Sequence, residues 1–170
     1  MPASERTFSI FEPHVELLKR GRREKPVEFG HKVLLTQTRD KFITHYEALE
    51  KQKPDSELVS SVLEHHREQF GAYPETLAAD KGFRSDAKKM EVFQEQVQLL
   101  AIPKKPSDWG KEPLQPWQAF RAGIEGTISG LKRGFRLIRC FYRGFKNFAA
   151  SIGAAIFCHN IVKLANPSTP

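Results

Sequence analysis

Between positions 117 and 131 the apolar residues recur at spacings of three and four. Wound at roughly 100° per residue, Trp117, Phe120, Ile124, Ile128 and Leu131 fall on one stripe, which predicts a helix beginning near Leu114. Gln118, Arg121, Glu125, Ser129 and Lys132 occupy a narrow sector beside it, so a single carboxylate lies between two cations along one line. Gly123, Gly126, Gly130 and Gly134 interrupt the pattern, each costing about 1 kcal/mol against Ala in a helix interior. They are expected where another backbone comes close. After a break at 143–144 a last helix is predicted over about 145–164. Phe145, Phe148, Ala149, Ile152, Ile156 and His159 share one side of it.

Upstream the period shortens. A weak strand is expected near 8–18, then a loop to Pro26. VEFGHKVLLTQT (27–38) and FITHYEAL (42–49) read as two strands of a hairpin turning at Arg39, Asp40 and Lys41. Asp55 or Ser56 is expected to cap a helix carrying Leu58, Val62, Leu63 and Phe70, which Gly71 ends. A short strand at 76–79 runs straight into Asp80, with Gly82 just behind. A helix at about 86–95 and a strand at 97–102 follow, then a proline-punctuated loop, 103–116. The order β–β–β–α–β–α–β–α–α predicts an α/β fold with a mixed sheet flanked by helices. We divide the chain into a lead-in (1–26), one domain (27–165) and a tail (166–170).

Composition narrows the partner. The 170 residues suffice for one domain, and a formal charge of +7 points to an anionic partner, nucleic acid ahead of membrane. Lys132, Arg133, Arg136, Arg139, Arg143 and Lys146 follow one another without an acid, interleaved with Phe135, Phe141, Tyr142 and Phe145. A solvated face would carry such charges too, but absent acids plus aromatics fit phosphate neutralisation with base stacking. Cys140 and Cys158 are few and sit among apolar neighbours, as reduced cytosolic thiols do. No apolar run is expected to reach the roughly 20 residues that span a bilayer. The start, MPASERTF, has no signal-peptide core. A soluble cytoplasmic protein is expected. His31, His45, His65, His66 and His159 are scattered without zinc-site spacing and are expected as surface or packed residues.

Two acids stand out by position. Asp80 is at a strand end, where open α/β sheets place ligands, and Glu125 is on a helix beside its apolar stripe. Phosphoryl transfer commonly uses carboxylates from separate elements to hold two divalent ions about 4 Å apart. Asp-Lys-Gly is also an ordinary turn, and Glu between Arg and Lys an ordinary salt-bridge set.

AADKGF resembles the second-aspartate motif of DDE-class bacterial insertion-sequence transposases, and FRAGIEGTISGLKRGFRLIRCFYRG resembles their third-acid region. That group's Y-R-E-K signature separates Arg from Glu by three residues and Glu from Lys by six, as Arg121, Glu125 and Lys132 are separated. The signature's tyrosine falls at Gln118, with Trp117 the nearest aromatic. FGHKVLLTQT and GAAIFCHNIVKL are also similar to this group, especially its ISNCY-type members, so the resemblance runs from about 8 to 165. It implies a ribonuclease H-like fold, here without the first, central strand. It further implies that Asp80 and Glu125 are catalytic acids binding Mg²⁺ or Mn²⁺. Arg121 and Lys132 would contact DNA phosphates or brace Glu125. The implied partners are transposon-end and target DNA, with a full-length transposase or a second copy, and no membrane, in the bacterial cytoplasm. The family's first aspartate has no counterpart in the sequence. Asp40 lies in a hairpin turn and Glu12 precedes Pro13, and neither is expected on a strand beside Asp80. The chain is therefore expected to be the C-terminal portion of a transposase, inactive alone. Competing readings are an inactive DNA-binding fragment that inhibits a full-length enzyme, and a plain ribonuclease H-like nuclease, a class that clusters more acids.

Overall fold

The computed structural model describes residues 15–19 and 27–166. The lead-in 1–26 and the expected strand near 8–18 lie outside the described residues, apart from Val15 and strand β1, Glu16–Lys19. Residues 167–170 of the tail lie outside them as well. The fold is mixed α/β, with six strands and four α-helices among the described residues. The strands pair two by two, as β1 with β2, β3 with β4 and β5 with β6, where one continuous mixed sheet was expected. The chain divides into two compact units. Of the described residues, one holds those up to Leu35, Tyr46–Gln52 and those from Leu131 onward, and the other Thr36–His45 and Lys53–Gly130.

The second unit is built on a parallel pair. β5 (Thr76–Ala78) and β6 (Leu99–Ala101) match Thr76 to Leu99, Leu77 to Leu100 and Ala78 to Ala101. Parallel strands need a long crossover, supplied by α2 (Ala87–Gln96). Its first turn is capped where Lys89 N–H donates to Asp86 Oδ1 at 3.0 Å. Helix α1 (Asp55–Phe70) adds Val59 and Leu63 to a core with Met90, Phe93, Val97, Leu100 and Ile102. Leu63 is fully buried, so its truncation to Ala removes about 2–5 kcal/mol. α1 starts at Asp55 with Pro54 in the cap position and no side-chain cap, so neither Asp55 nor Ser56 caps it. Its end is as expected, with Gly71 left-handed at φ 77°.

The stretch 27–38 is not one strand. It breaks after Gly30, at φ 155°, into β2 (Val27–Gly30) and β3 (Lys32–Gln37). β2 turns back to pair antiparallel with β1, while β3 pairs with β4 (Ile43–Leu49). The expected turn lies between β3 and β4. Lys41 N–H donates to the Thr38 carbonyl at 3.0 Å, and Lys41 itself is left-handed at φ 64°. His31, at the switch, is buried in the first unit, its Nδ1 3.1 Å from the Leu49 carbonyl and its ring against Phe145 and Phe148.

Helix α3 (Gln115–Gly134) begins where predicted, but the basic and aromatic run does not continue it. The Leu131 carbonyl accepts from both Phe135 and Leu137 N–H groups, and Arg136 between them is left-handed at φ 58°. From 135 to 144 the chain is neither helix nor strand. The expectation that another backbone approaches the α3 glycines fails for all four, Gly123 meeting only the Gln37 side-chain nitrogen 3.7 Å from a Cβ position. Among the described residues nothing lies within 4 Å of where a Cβ would stand on Gly126, Gly130 or Gly134. Close approach occurs elsewhere, at Gly153 of α4 (Phe145–Ala165), where the Tyr46 hydroxyl occupies the place of a Cβ. α4 also corrects the hydropathy reading. Its 21 residues, with a mean hydropathy of 1.5 over the best window, are long and apolar enough to cross a membrane, and 22% of that window is buried.

Two substitutions follow from this backbone. Gly130→Ala should raise unfolding stability by about 1 kcal/mol, because the helix gains propensity and meets no neighbour. Arg136→Gly should add about 1 kcal/mol by relieving the left-handed strain of a residue with a Cβ. Urea unfolding of each variant measures both.

Candidate functional site

Ala79 N–H still donates to the Ala101 carbonyl at 3.2 Å, and the chain leaves the ladder at Asp80. A single 3-10 turn, Lys81–Phe83, follows, closed by Phe83 N–H donating to the Asp80 carbonyl at 2.9 Å. Gly82 is closely approached here, since a Cβ would stand 3.1 Å from Asp55 Oδ2 and that carboxylate would have to give by a few tenths of an ångström. The turn therefore holds Asp80 at the C-terminal edge of the parallel pair, with its carboxylate half exposed.

Arg121 reaches it from α3. Its Nε lies 2.5 Å from Asp80 Oδ1 and its terminal nitrogen donates to Asp80 Oδ2 at 2.7 Å, a two-pronged grip. The same terminal nitrogen donates to Glu125 Oε1 at 3.1 Å, one helical turn on. The structure thus brings Asp80, Arg121 and Glu125 together, with the guanidinium between the two carboxylates. Arg121 is 25% exposed, against 51% for Asp80 and 69% for Glu125, so the cation is the best-anchored member and the acids face solvent. Two like charges brought together repel unless a cation lies between them, and Arg121 meets that need.

The helix backing the cluster is only half apolar. Trp117 and Phe120 meet edge to face at 5.6 Å, and Ile124 and Ile128 are half-buried. The stripe rule missed Thr127, which is 4% exposed and folds its hydroxyl back on the Gly123 carbonyl. Gln37, whose Nε2 would lie 3.7 Å from a Cβ on Gly123, was also missed, and nothing in the strand pattern marks it.

The remaining predicted cations are not part of this cluster. Lys132 and Arg133 end α3, Arg136, Arg139 and Arg143 lie on the segment 135–144, and Lys146 opens α4. All six are exposed and belong to the first unit, whereas Asp80, Arg121 and Glu125 belong to the second. Asp40 is exposed in the hairpin turn, and Glu12 lies outside the described residues. Among the described residues no three His, Cys, Asp or Glu side chains gather as a metal cage. The histidines take packing roles. His45 stacks on His65 at 4.3 Å, His66 Nδ1 is 2.8 Å from the Ala72 carbonyl, and the His159 ring meets Phe135. No protein-family model matches the chain, and no curated protein or solved structure matches it.

Because both carboxylates are so exposed, solvent screens the bridge heavily. A double-mutant cycle on Arg121 and Asp80 should give a coupling of about 1 kcal/mol or less at low salt, shrinking as ionic strength rises. Chemical unfolding of the four proteins at two salt concentrations measures it. Retention of the coupling at high salt would contradict the exposed geometry.

Proposed function

We propose that the chain is the C-terminal part of a DDE-type transposase catalytic domain of ribonuclease H-like fold, which cuts and joins DNA strands with Asp80 and Glu125 as two of its acids. The observation that carries this reading is their meeting from separate elements, a strand end and a helix, across Arg121. An ordinary i, i+4 salt bridge accounts for Arg121 with Glu125, but not for Asp80, 41 residues upstream, on the same guanidinium.

The donor chemistry fits a hard divalent cation. Mg²⁺ is commonly held by one or two carboxylates, with water and substrate phosphate completing its shell, and both acids are open to solvent. Asp80 and Glu125 would hold Mg²⁺ or Mn²⁺, which when bound supplies a water or hydroxyl nucleophile and stabilises the leaving oxygen. Arg121 holds the two carboxylates through one guanidinium, and with a cation bound there it would be free to turn from Asp80 to a DNA phosphate. Lys132, Arg133, Arg136, Arg139, Arg143 and Lys146 neutralise the DNA backbone. A second reading rests on the two-acid count. With no third acid gathered among the described residues, this stretch alone is a DNA-binding regulator that pairs with a full-length transposase or a second copy.

Cleavage tests the first reading. The 170-residue chain with Mn²⁺ and supercoiled DNA should not nick. Adding an upstream strand bearing an aspartate, in cis or as a separate fragment, should restore nicking. In the restored protein Asp80→Asn or Glu125→Gln should abolish it, and Asp40→Ala should leave it unchanged. Nicking that survives both acid substitutions would sink the assignment.

Binding tests the basic run separately. Affinity for duplex DNA should fall with salt at a log–log slope of about −0.9 per phosphate contact. Replacing Arg133, Arg136 and Arg139 by Ala should flatten that slope by about two to three units. An unchanged slope would remove these residues from the interface.

A further inference from the structure

The three large side chains of the segment 135–144 that stand furthest into solvent are Ile138, Phe141 and Tyr142, at 73%, 79% and 67% exposed. Two of them are flat rings, and they alternate with Arg136, Arg139 and Arg143, all exposed. The Arg139 guanidinium already lies over the Phe141 ring, 5.6 Å from its centroid. That ring face is therefore within reach of a cation, and a base stacking on it would take the place of Arg139, freeing the guanidinium for the backbone. Charge points the same way. Residues 126–170 contain seven Lys and Arg and no acid, so the first 125 residues, with 20 of each sign, are neutral. The excess charge of the chain is confined to the part that carries these rings.

We infer that 135–144 is a binding site for unpaired nucleotides, in which bases stack on Phe141 and Tyr142 while the neighbouring arginines neutralise the backbone. This rests on the reading that the chain handles DNA, but not on the acids. Within a duplex each base is already stacked on both faces, so exposed rings gain contacts only where strands are open. An anionic lipid surface would also accept cations beside apolar side chains. Interfacial membrane segments also carry rings beside Lys and Arg, so the aromatic content alone does not choose between the two. The choice rests on the cations: those between 135 and 144 are all Arg, whose planar guanidinium pairs with phosphate in two prongs and stacks on flat rings as an ammonium does not.

Fluorescence anisotropy with the full chain tests this, using oligo(dT), a duplex of equal length, and phosphatidylserine–phosphatidylcholine vesicles at one salt concentration. Oligo(dT) should bind at least about tenfold more tightly than duplex. Phe141→Leu and Tyr142→Leu should each weaken oligo(dT) binding by about 5- to 100-fold while changing duplex binding less than about twofold. Phe141→Trp should restore it. Leucine keeps the apolar surface and removes the ring face. Because both residues are mostly exposed, the variants should unfold at the wild-type temperature, and circular dichroism verifies it. Equal affinity for both DNAs, or leucine variants that bind like wild type, would overturn the proposal and leave the transposase reading standing. Vesicle binding without an oligo(dT) preference would assign the segment to a lipid surface instead. Failure to bind either DNA would overturn both readings.

Discussion

Two parallel strands of three residues each cannot form a sheet unaided, and the second unit depends on what covers them. Three backbone pairs leave most of the stabilisation to side chains, and these come from the crossover α2 and from α1: Met90, Phe93, Val59 and Leu63 over Leu100 and Ile102. Parallel pairing also has a directional consequence. Both strands point the same way, so both leave the ladder at one edge, and the residues that follow β5 emerge where no further pairing competes for them. Asp80 is the first such residue to project a charge. Its position is therefore a product of topology, fixed by the apolar packing behind it rather than by the polar contacts it makes.

Those polar contacts have a different task. Arg121 bonds to two carboxylates, yet Asp80 and Glu125 are half exposed or more, where an ion pair contributes about 1 kcal/mol or less. That is too little to hold a fold and enough to select a side-chain arrangement. The planar guanidinium offers donors on two edges, so it fixes the direction of Asp80 and still reaches Glu125. A lysine at this position would be a point charge free to choose one acid. The cluster is organised without being rigid, as the proposed metal binding would require.

Much of this was legible in the residues. The 3.6 period placed α3 and α4, Gly71 marked the end of α1, and the Arg–Glu–Lys spacing put Arg121 beside Glu125. The proximity of Asp80 was expected from the resemblance alone, since the residues themselves also read Asp-Lys-Gly as an ordinary turn. What escaped was set by backbone geometry that composition does not encode. The stretch 27–38 was read as one strand through Gly30, whereas the chain divides there between two partners, with Gly30 at φ 155°. Arg136 takes a left-handed conformation that its own Cβ disfavours, so a sequence rule that expects glycine there extends the helix past its real end. The glycines of α3 misled in the opposite sense, since they suggested a close neighbour that Gly126, Gly130 and Gly134 do not have.

The distribution of charge adds a constraint that the net value conceals. A protein with its cations spread evenly over 170 residues would attract an anion everywhere and orient it nowhere. Here every acid precedes residue 126 and the seven Lys and Arg after it are unopposed, so the first 125 residues contribute no net attraction. Like charges at 132, 133, 136, 139, 143 and 146 repel along the chain, and an uninterrupted helix would stack several of them at three- and four-residue spacing. Leaving the helix after Gly134 lets those charges spread into water. The same departure frees Phe141 and Tyr142 from any helical face and leaves both rings in solvent. The irregular segment thus spares its cations a set of like-charge neighbours that would each cost about 0.2–0.5 kcal/mol on a helix, a small term that works in the same direction as the left-handed turn at Arg136.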